Sequence, residues 1–294
     1  MFSADAQNQF FESALLEATG WEHQILDMNF LHGGCINNAV KLQTNYGKYF
    51  LKFNEMASAY EMFQAEARGL EMLAATHTLT VPRVIGAGKQ HGKSYLLLEY
   101  FEPIPPQRNY WEQLGQGLAA LHSHRQQMFG LDFNNYIGSL PQNNEWIDDG
   151  INFFIEKRLR VQAGLAYYNQ LIDEPFLKRL DKLYQKLPDL IPKESASLLH
   201  GDLWGGNVIV GHQGEPCLID PAVYFGFREA EMAQTQLFGG FHQRFYQAYR
   251  EAMPLESGFQ ERVPIYNLYP LLVHLNLFGL AYLSAIEQTL KRFI

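Results

Sequence analysis

Apolar positions in the first hundred residues switch between two periods. Trp21 to Asn29 and Val40 to Gln43 carry short strand-like signals, and KYFLKF (48–53) and SYLLLEY (94–100) are aromatic and branched enough for strands. Between the last two, residues 57–75 place Phe63, Ala67, Leu70 and Ala74 at steps of four, three and four, the apolar stripe of a helix with one buried face. After Phe101, the segment EPIPP sets three prolines within five residues, which disfavours both helix and central strand and marks a linker. Beyond it the pattern is mostly helical: NYWEQLGQGLAALHSH, WIDDGINFFIEKRLRVQAGLAYY, FLKRLDKLYQKL and several segments after Arg228. One exception is a pair of apolar runs, NVIV and CLID, joined by the turn GHQGEP. The expected fold class is α+β. An N-terminal lobe, residues 1–101, holds an antiparallel sheet and a helix; a mostly helical C-terminal lobe, residues 102–294, carries one hairpin.

Composition narrows the partners more than the fold. At 294 residues and 47% apolar content the chain can fill a substantial core. A formal charge of −8 excludes a phosphate-backbone binder, which needs clustered Lys and Arg to displace counterions, so neither nucleic acid nor an anionic membrane is an expected partner. The first twenty residues lack the basic start and cleavage site of a secretory signal, and the most apolar stretch, LLVHLNLFGLAYLSAI, is interrupted by His274 and Asn276. Two cysteines, Cys35 and Cys217, cannot build a disulfide scaffold. A cytoplasmic protein is expected.

The chemistry concentrates in HGDLWGGNVIV, His200 to Val210. Phosphoryl transfer needs a group to take the hydroxyl proton, oxygens to hold Mg²⁺, and donors for the phosphates. In the kinase catalytic loop a base Asp precedes a metal-binding Asn by five residues; Asp202 and Asn207 keep that spacing, with His200 in the matching histidine place. Thirteen residues further on, CLID ends at Asp220, where Pro221 must stop the strand. Asp202 is thus the candidate base, and Asn207 and Asp220 the candidate metal ligands. Each alone reads as a turn, cap or helix-start residue; the two spacings together point to catalysis. Lys52 is the candidate phosphate-positioning cation, sharing a strand face with Phe50, and Glu66, at the edge of the helical stripe, is its partner, because a carboxylate there is costly to bury unpaired. Gly33, Gly34, Cys35, Ile36 and Asn37 match no standard phosphate-loop motif, yet lie between two strands ahead of Lys52, where backbone donors can cover phosphates. Cys35 is either a packed small residue or a reactive thiol at the tip of that loop.

These residues resemble the fructosamine kinase family, also called ketosamine-3-kinases, relatives of the aminoglycoside and choline kinases. HGDLWGGN carries Trp204 where HGDLWSGN is typical; GGCINNA, NYIGSLPQNNEWIDDGINFFIEKRL and IDPAVYFGFREAEMAQTQLFGGF are similar to further family segments, from about residue 20 to the C-terminus. Gly205 replaces a small hydroxyl residue, and NNEW departs from the usual segment before the tryptophan. The resemblance implies the two-lobed protein-kinase-like fold, with ATP and Mg²⁺ as cofactors. It implies phosphorylation of the 3-hydroxyl of a ketosamine, a fructosamine, ribulosamine or erythrulosamine on a small amine or a protein lysine, after which the adduct breaks down. By position it makes Glu99, Tyr100 and Phe101 the adenine-contacting hinge and gives Trp204 a place beside the base, either stacked on the substrate or packed between lobes. A monomer or homodimer, with a redox-linked dimer through Cys35 as one form, is compatible with it. The alternative is a kinase for an aminoglycoside, choline or another amino alcohol. A protein kinase is disfavoured because no A-P-E segment follows Asp220. Glu229 and Glu231 read as acids favoured at a helix start.

Overall fold

The structure is a computed structural model and describes residues 4–31 and 37–294. Gly33, Gly34, Cys35 and Ile36 of the expected phosphate loop lie outside the described residues. The chain divides into two compact units, Met1–Tyr110 with Ile209–Pro221, and Trp111–Val208 with Ala222–Ile294. The sequence pattern put a single cut after Phe101; the hairpin that returns at 209–221 belongs instead with the N-terminal unit, because Leu218 donates its N–H to Thr80 O at 2.9 Å and Gln107 donates to Gly214 O at 2.8 Å.

The first unit is built on a five-stranded antiparallel sheet. Helix α1 (Ala4–Thr19) precedes β1 (Ile25–Leu31), β2 (Asn38–Thr44), β3 (Gly47–Asn54), helix α2 (Ala59–Ala75), β4 (Val84–Gln90) and β5 (Lys93–Glu99), with strand order β1-β2-β3-β5-β4. Strand alternation gives the sheet two apolar faces. On one, Leu51, Phe53, Tyr95 and Leu97 join Phe10, Phe11, Ala14 and Leu15 of α1. On the other, Leu96 and Leu98 pack against Ala59, Phe63, Ala67 and Leu70 of α2. Lys52 pairs in register with Leu96, so it shares the face that α2 covers. That placement is what brings a lysine to the helix that carries Glu66. The α2 stripe follows expectation through Leu70; Leu73, one residue before Ala74, takes the last buried place. α1 stops at Gly20, whose φ of +78° suits only a residue without a Cβ.

The second unit is mostly helical. In order it contains α3 (Tyr110–His122), three short strands β6 (Arg125–Gln126), β7 (Asn135–Ile137) and β8 (Leu140–Gln142), α4 (Gly150–Phe153), a π-helical stretch Phe154–Leu159, α5 (Arg160–Tyr168), α6 (Glu174–Tyr184), α7 (Leu187–Leu190) and β9 (Ala196–Leu199). There follow the hairpin β10 (Val208–Val210) and β11 (Pro216–Leu218), β12 (Tyr224–Gly226), and α8 (Arg228–Gln234), α9 (Gln243–Ala252), α10 (Phe259–Tyr266), α11 (Leu268–Phe278) and α12 (Leu283–Phe293). The helix expected from Trp146 starts only at Gly150, where the Asp149 carboxylate accepts the N–H of Asn152 at 2.7 Å as an N-cap. β12, β9 and β6 form a small sheet that holds the chain just before His200 and just after Val223. No helix among the described residues is long and apolar enough to cross a membrane.

Candidate active site

In the first unit Lys52 meets two carboxylates. Its Nζ lies 2.7 Å from Glu66 Oε1 and 2.6 Å from Asp220 Oδ1. Burial alone would pull the ammonium's pKa down, but Asp220 and Glu66 outweigh it and hold the pKa above the ordinary value, so Lys52 is a fixed cation. Burial raises the Glu66 carboxyl, with the Lys52 charge opposing. Asp220 does not end a continuous strand as alternation suggested: β11 stops at Leu218, and Asp220 has φ +56°, left-handed backbone that a non-glycine residue adopts at a local cost. The turn leaves the Asp220 side chain 44% exposed while still bonded to Lys52. A carboxylate presented this way beside a buried lysine suits a charged ligand.

The second unit holds the candidate base. Asn207 Nδ2 donates to Asp202 O at 2.8 Å and to Asp202 Oδ2 at 3.1 Å, so the spacing of five closes a ring across the short 3₁₀ turn Gly205–Asn207. The Asp202 N–H reaches His200 Nδ1 at 3.3 Å, and His200 itself is fully buried. Gly201 has φ +87°, and a Cβ there would stand 2.0 Å from Ala222 O, so only glycine lets the loop pass its neighbour. Trp204 is 39% exposed and stands edge-on to Phe238 at 6.2 Å. Its ring lies over Gly206, where a Cβ would fall 2.3 Å from the indole. At Gly205, where the family has a small hydroxyl residue, a Cβ would meet nothing within 4 Å, so that departure leaves the loop unchanged.

Several residues have other duties than the sequence suggested. Glu229 and Glu231 are buried: Glu229 takes the Arg262 guanidinium through two bonds of 2.8 and 2.6 Å. Glu231 accepts from His200 N–H at 3.1 Å, Gly201 N–H at 2.7 Å and His122 Nε2 at 2.9 Å. Burial pushes the Glu231 carboxyl up, yet the donor from His122, the neighbouring His200 and the Gly201 N–H outweigh it and hold it below the ordinary range. Both acids do lie in the first turn of α8, as expected, but each is buried against a specific partner rather than solvated. Sequence reasoning missed His122 and Gln234, whose Nε2 donates to Asp202 Oδ1 at 2.8 Å. The available signal was an acid and an amide three residues apart in REAEMAQ, hence on one helix face, in a segment otherwise suited to burial. In the hinge, Glu99 Oε1 accepts the Arg83 N–H at 2.8 Å, Tyr100 lies under Lys41 Nζ at 4.7 Å, and Phe101 stacks on His212 at 4.2 Å. Asn37 Oδ1 accepts from Asn54 Nδ2 at 3.0 Å. NNEW is structural: Asn144 is fully buried and its Oδ1 accepts from Arg158 at 2.6 Å.

Taken separately, Asp220 in the first unit offers carboxylate oxygens and Asn207 in the second an amide oxygen, the hard oxygen donors that Mg²⁺ takes. Among the described residues no group of three or more His, Cys, Asp or Glu could hold a metal alone.

A sequence model of the family described as fructosamine kinase matches residues 8–294, nearly the whole chain. The chain belongs to the fructosamine kinase family. It is 42% identical over 286 residues to a Synechocystis protein named a probable ketoamine kinase, covering 97% of this chain and 96% of that one. It is 38% identical over 276 residues to the chloroplastic protein-ribulosamine 3-kinase of Arabidopsis thaliana, covering 92% and 83%. A crystal structure of a fructosamine-3-kinase candidate from Haemophilus somnus superposes with a TM-score of 0.88 at 31% identity, covering 97% of both chains. The aminoglycoside phosphotransferase APH(4)-Ia gives a TM-score of 0.61 at 16% identity over 96% of this chain, which places this fructosamine kinase family member in the two-lobed kinase-like fold.

Proposed function

We propose that the protein transfers the γ-phosphoryl group of ATP to the 3-hydroxyl of a ketosamine on a small amine or a protein lysine, so that the phosphorylated adduct can break down and restore the amine. The observation that carries this reading is the catalytic segment itself, in which an Asp202–Asn207 ring is joined to a half-exposed Trp204 that general phosphoryl transfer does not require. Family membership and the names of the relatives support the same acceptor class.

Asp202 takes the proton of the attacking hydroxyl, its carboxylate held from one side by Asn207 and from the other by Gln234. Lys52, kept charged by Glu66 and Asp220, supplies the cation for the nucleotide phosphates. Asn207 and Asp220 are the residues that would hold Mg²⁺, which when bound would neutralise charge developing on the phosphates. The side chains of Glu99, Tyr100 and Phe101 are engaged in packing, so backbone groups of this segment serve the adenine. The Gly33, Gly34, Cys35, Ile36 and Asn37 loop covers the phosphates with backbone donors. Trp204 offers its ring to the sugar or to the amine that carries it, where a cationic nitrogen is also favoured. The protein works in the cytoplasm as a monomer or homodimer, and Cys35 is the site for any disulfide-linked form.

A phosphorylation screen of purified protein tests the acceptor. Fructose-, ribulose- and erythrulose-amines are compared with choline and aminoglycosides at equal Mg²⁺ and ATP. Turnover on the ketosamines is the expected result; turnover confined to the alcohols would replace this reading with the amino-alcohol kinase.

A further inference from the structure

Helix α8 grips three successive residues of the catalytic loop from one face. Glu231 takes the backbone N–H groups of His200 and Gly201, at 3.1 and 2.7 Å, and Gln234, one turn further along, donates to the Asp202 carboxylate at 2.8 Å. Gln234 is 6% exposed and lines a pocket with room for about one water, together with Gly201, Glu231, Tyr266 and Tyr269. An ionised carboxylate only accepts hydrogen bonds, so the amide must turn its NH₂ to Asp202. The Asn207 and Gln234 amides do not hold Asp202 equally. Asn207 gives its shorter bond, 2.8 Å, to the backbone O and only the longer, 3.1 Å, to Oδ2, whereas Gln234 meets Oδ1 at 2.8 Å. The terminal torsion of an aspartate is broad, so the shorter contact from Gln234 constrains the plane of the carboxylate more than the longer one from Asn207.

We infer that Gln234 is a positioning residue for the transfer: by holding Oδ1 of Asp202 it sets the carboxylate plane and leaves Oδ2 as the oxygen that takes the hydroxyl proton. The inference rests on the reading of Asp202 as the base. Gln234 touches neither nucleotide nor acceptor in this account; it acts only through Asp202, and its removal therefore costs rate through misorientation.

A double-mutant cycle separates this from a purely structural role. Gln234→Met, close in size but without the donor, is expected to lower kcat roughly tenfold or more with KM for ATP changed less than about twofold and an unchanged melting temperature. In the Asp202→Ala background, where the carboxylate is gone, the same substitution is expected to change the residual kcat less than about twofold. An equal loss in both backgrounds, or a wild-type kcat in Gln234→Met, overturns the inference. Gln234→Glu keeps the shape and sets a second carboxylate against the first, so it is expected to be slower than wild type; a wild-type rate there also overturns it, and this holds if the methionine variant does not fold. Full activity in Asp202→Ala alone is a different result, which removes the base assignment.

Discussion

At the scale of single residues, the site contains carboxylates of opposite electrostatic history. Glu66 has its pKa raised by burial and so costs stability when ionised, yet its ionised form anchors Lys52 at 2.7 Å. Glu66→Gln is therefore expected to leave the melting temperature at or above the wild-type value while lowering kcat about tenfold and raising KM for ATP, because Lys52 keeps only Asp220 as a charged anchor; steady-state kinetics beside a thermal melt check both halves. Asp202→Ala removes a side chain whose partners include the amides of Asn207 and Gln234. Turnover should fall by at least about a hundredfold with nucleotide affinity retained, measured by calorimetric titration of ATP and a coupled assay. Cys217 is buried and its thiol is pushed up, so it is inert. Any disulfide-linked dimer on non-reducing electrophoresis after mild oxidation should vanish in Cys35→Ser, and persistence of the band would assign it elsewhere.

At the scale of elements, glycines separate close packing from mere helix breaking. Gly115 on α3 lies against α9, where a Cβ would stand 2.4 Å from Phe245 O, a backbone atom that cannot step aside. Gly164 on α5 is exposed and a Cβ there meets nothing within 4 Å. Alanine should thus act in opposite directions: Gly164→Ala stabilises by about 0.5–1 kcal/mol through helix propensity and chain entropy, and Gly115→Ala destabilises by roughly 1–3 kcal/mol through overpacking, both read from urea midpoints. The elements also explain which parts of the fold were legible. α2 and β2 announce themselves by period, since each buries one regular face, whereas β3 and β5, covered on both faces, are legible only as short aromatic and branched runs. β4, VIGAGKQ, does not: its glycines carry no side chain to alternate. β9 is buried at every position, and a fully buried strand has no polar phase to read.

At the scale of the whole molecule, acid stability and ligand linkage report on the buried site. Glu231 has its folded pKa depressed, so it contributes stability that is present above its unfolded pKa and is lost as pH falls through the lower folded value. Glu66 and Glu194 have raised pKa values and the opposite sign, since acid relieves the cost of their burial. The difference between wild type and Glu231→Gln is the informative quantity: the wild-type advantage should shrink as pH drops below the ordinary carboxylate range of about 4, followed by melting temperature against pH. ATP with Mg²⁺ should stabilise the protein by about 2.7 kcal/mol at a hundredfold excess over Kd, and chelation of the metal or Asp220→Asn should remove most of that gain.

The sequence alone determined the family and the local frame of the HGDLWGGN segment. Asp202 and Asn207 stand five positions apart, and a local turn brings such residues together whatever the rest of the chain does. Trp204 and the family segments then narrowed the acceptor class. Tertiary structure decided what holds that frame in place. His122, Glu231 and Gln234 reach the catalytic loop from positions separated by many residues, and a helix start rich in acids gives no sign that both will be buried. The left-handed turn at Asp220 was equally hidden, because strand alternation is a property of regular backbone and the carboxylate sits where that regularity ends. Periodicity reports which face of an element is buried; it does not report the polar partner that a distant element brings to that face.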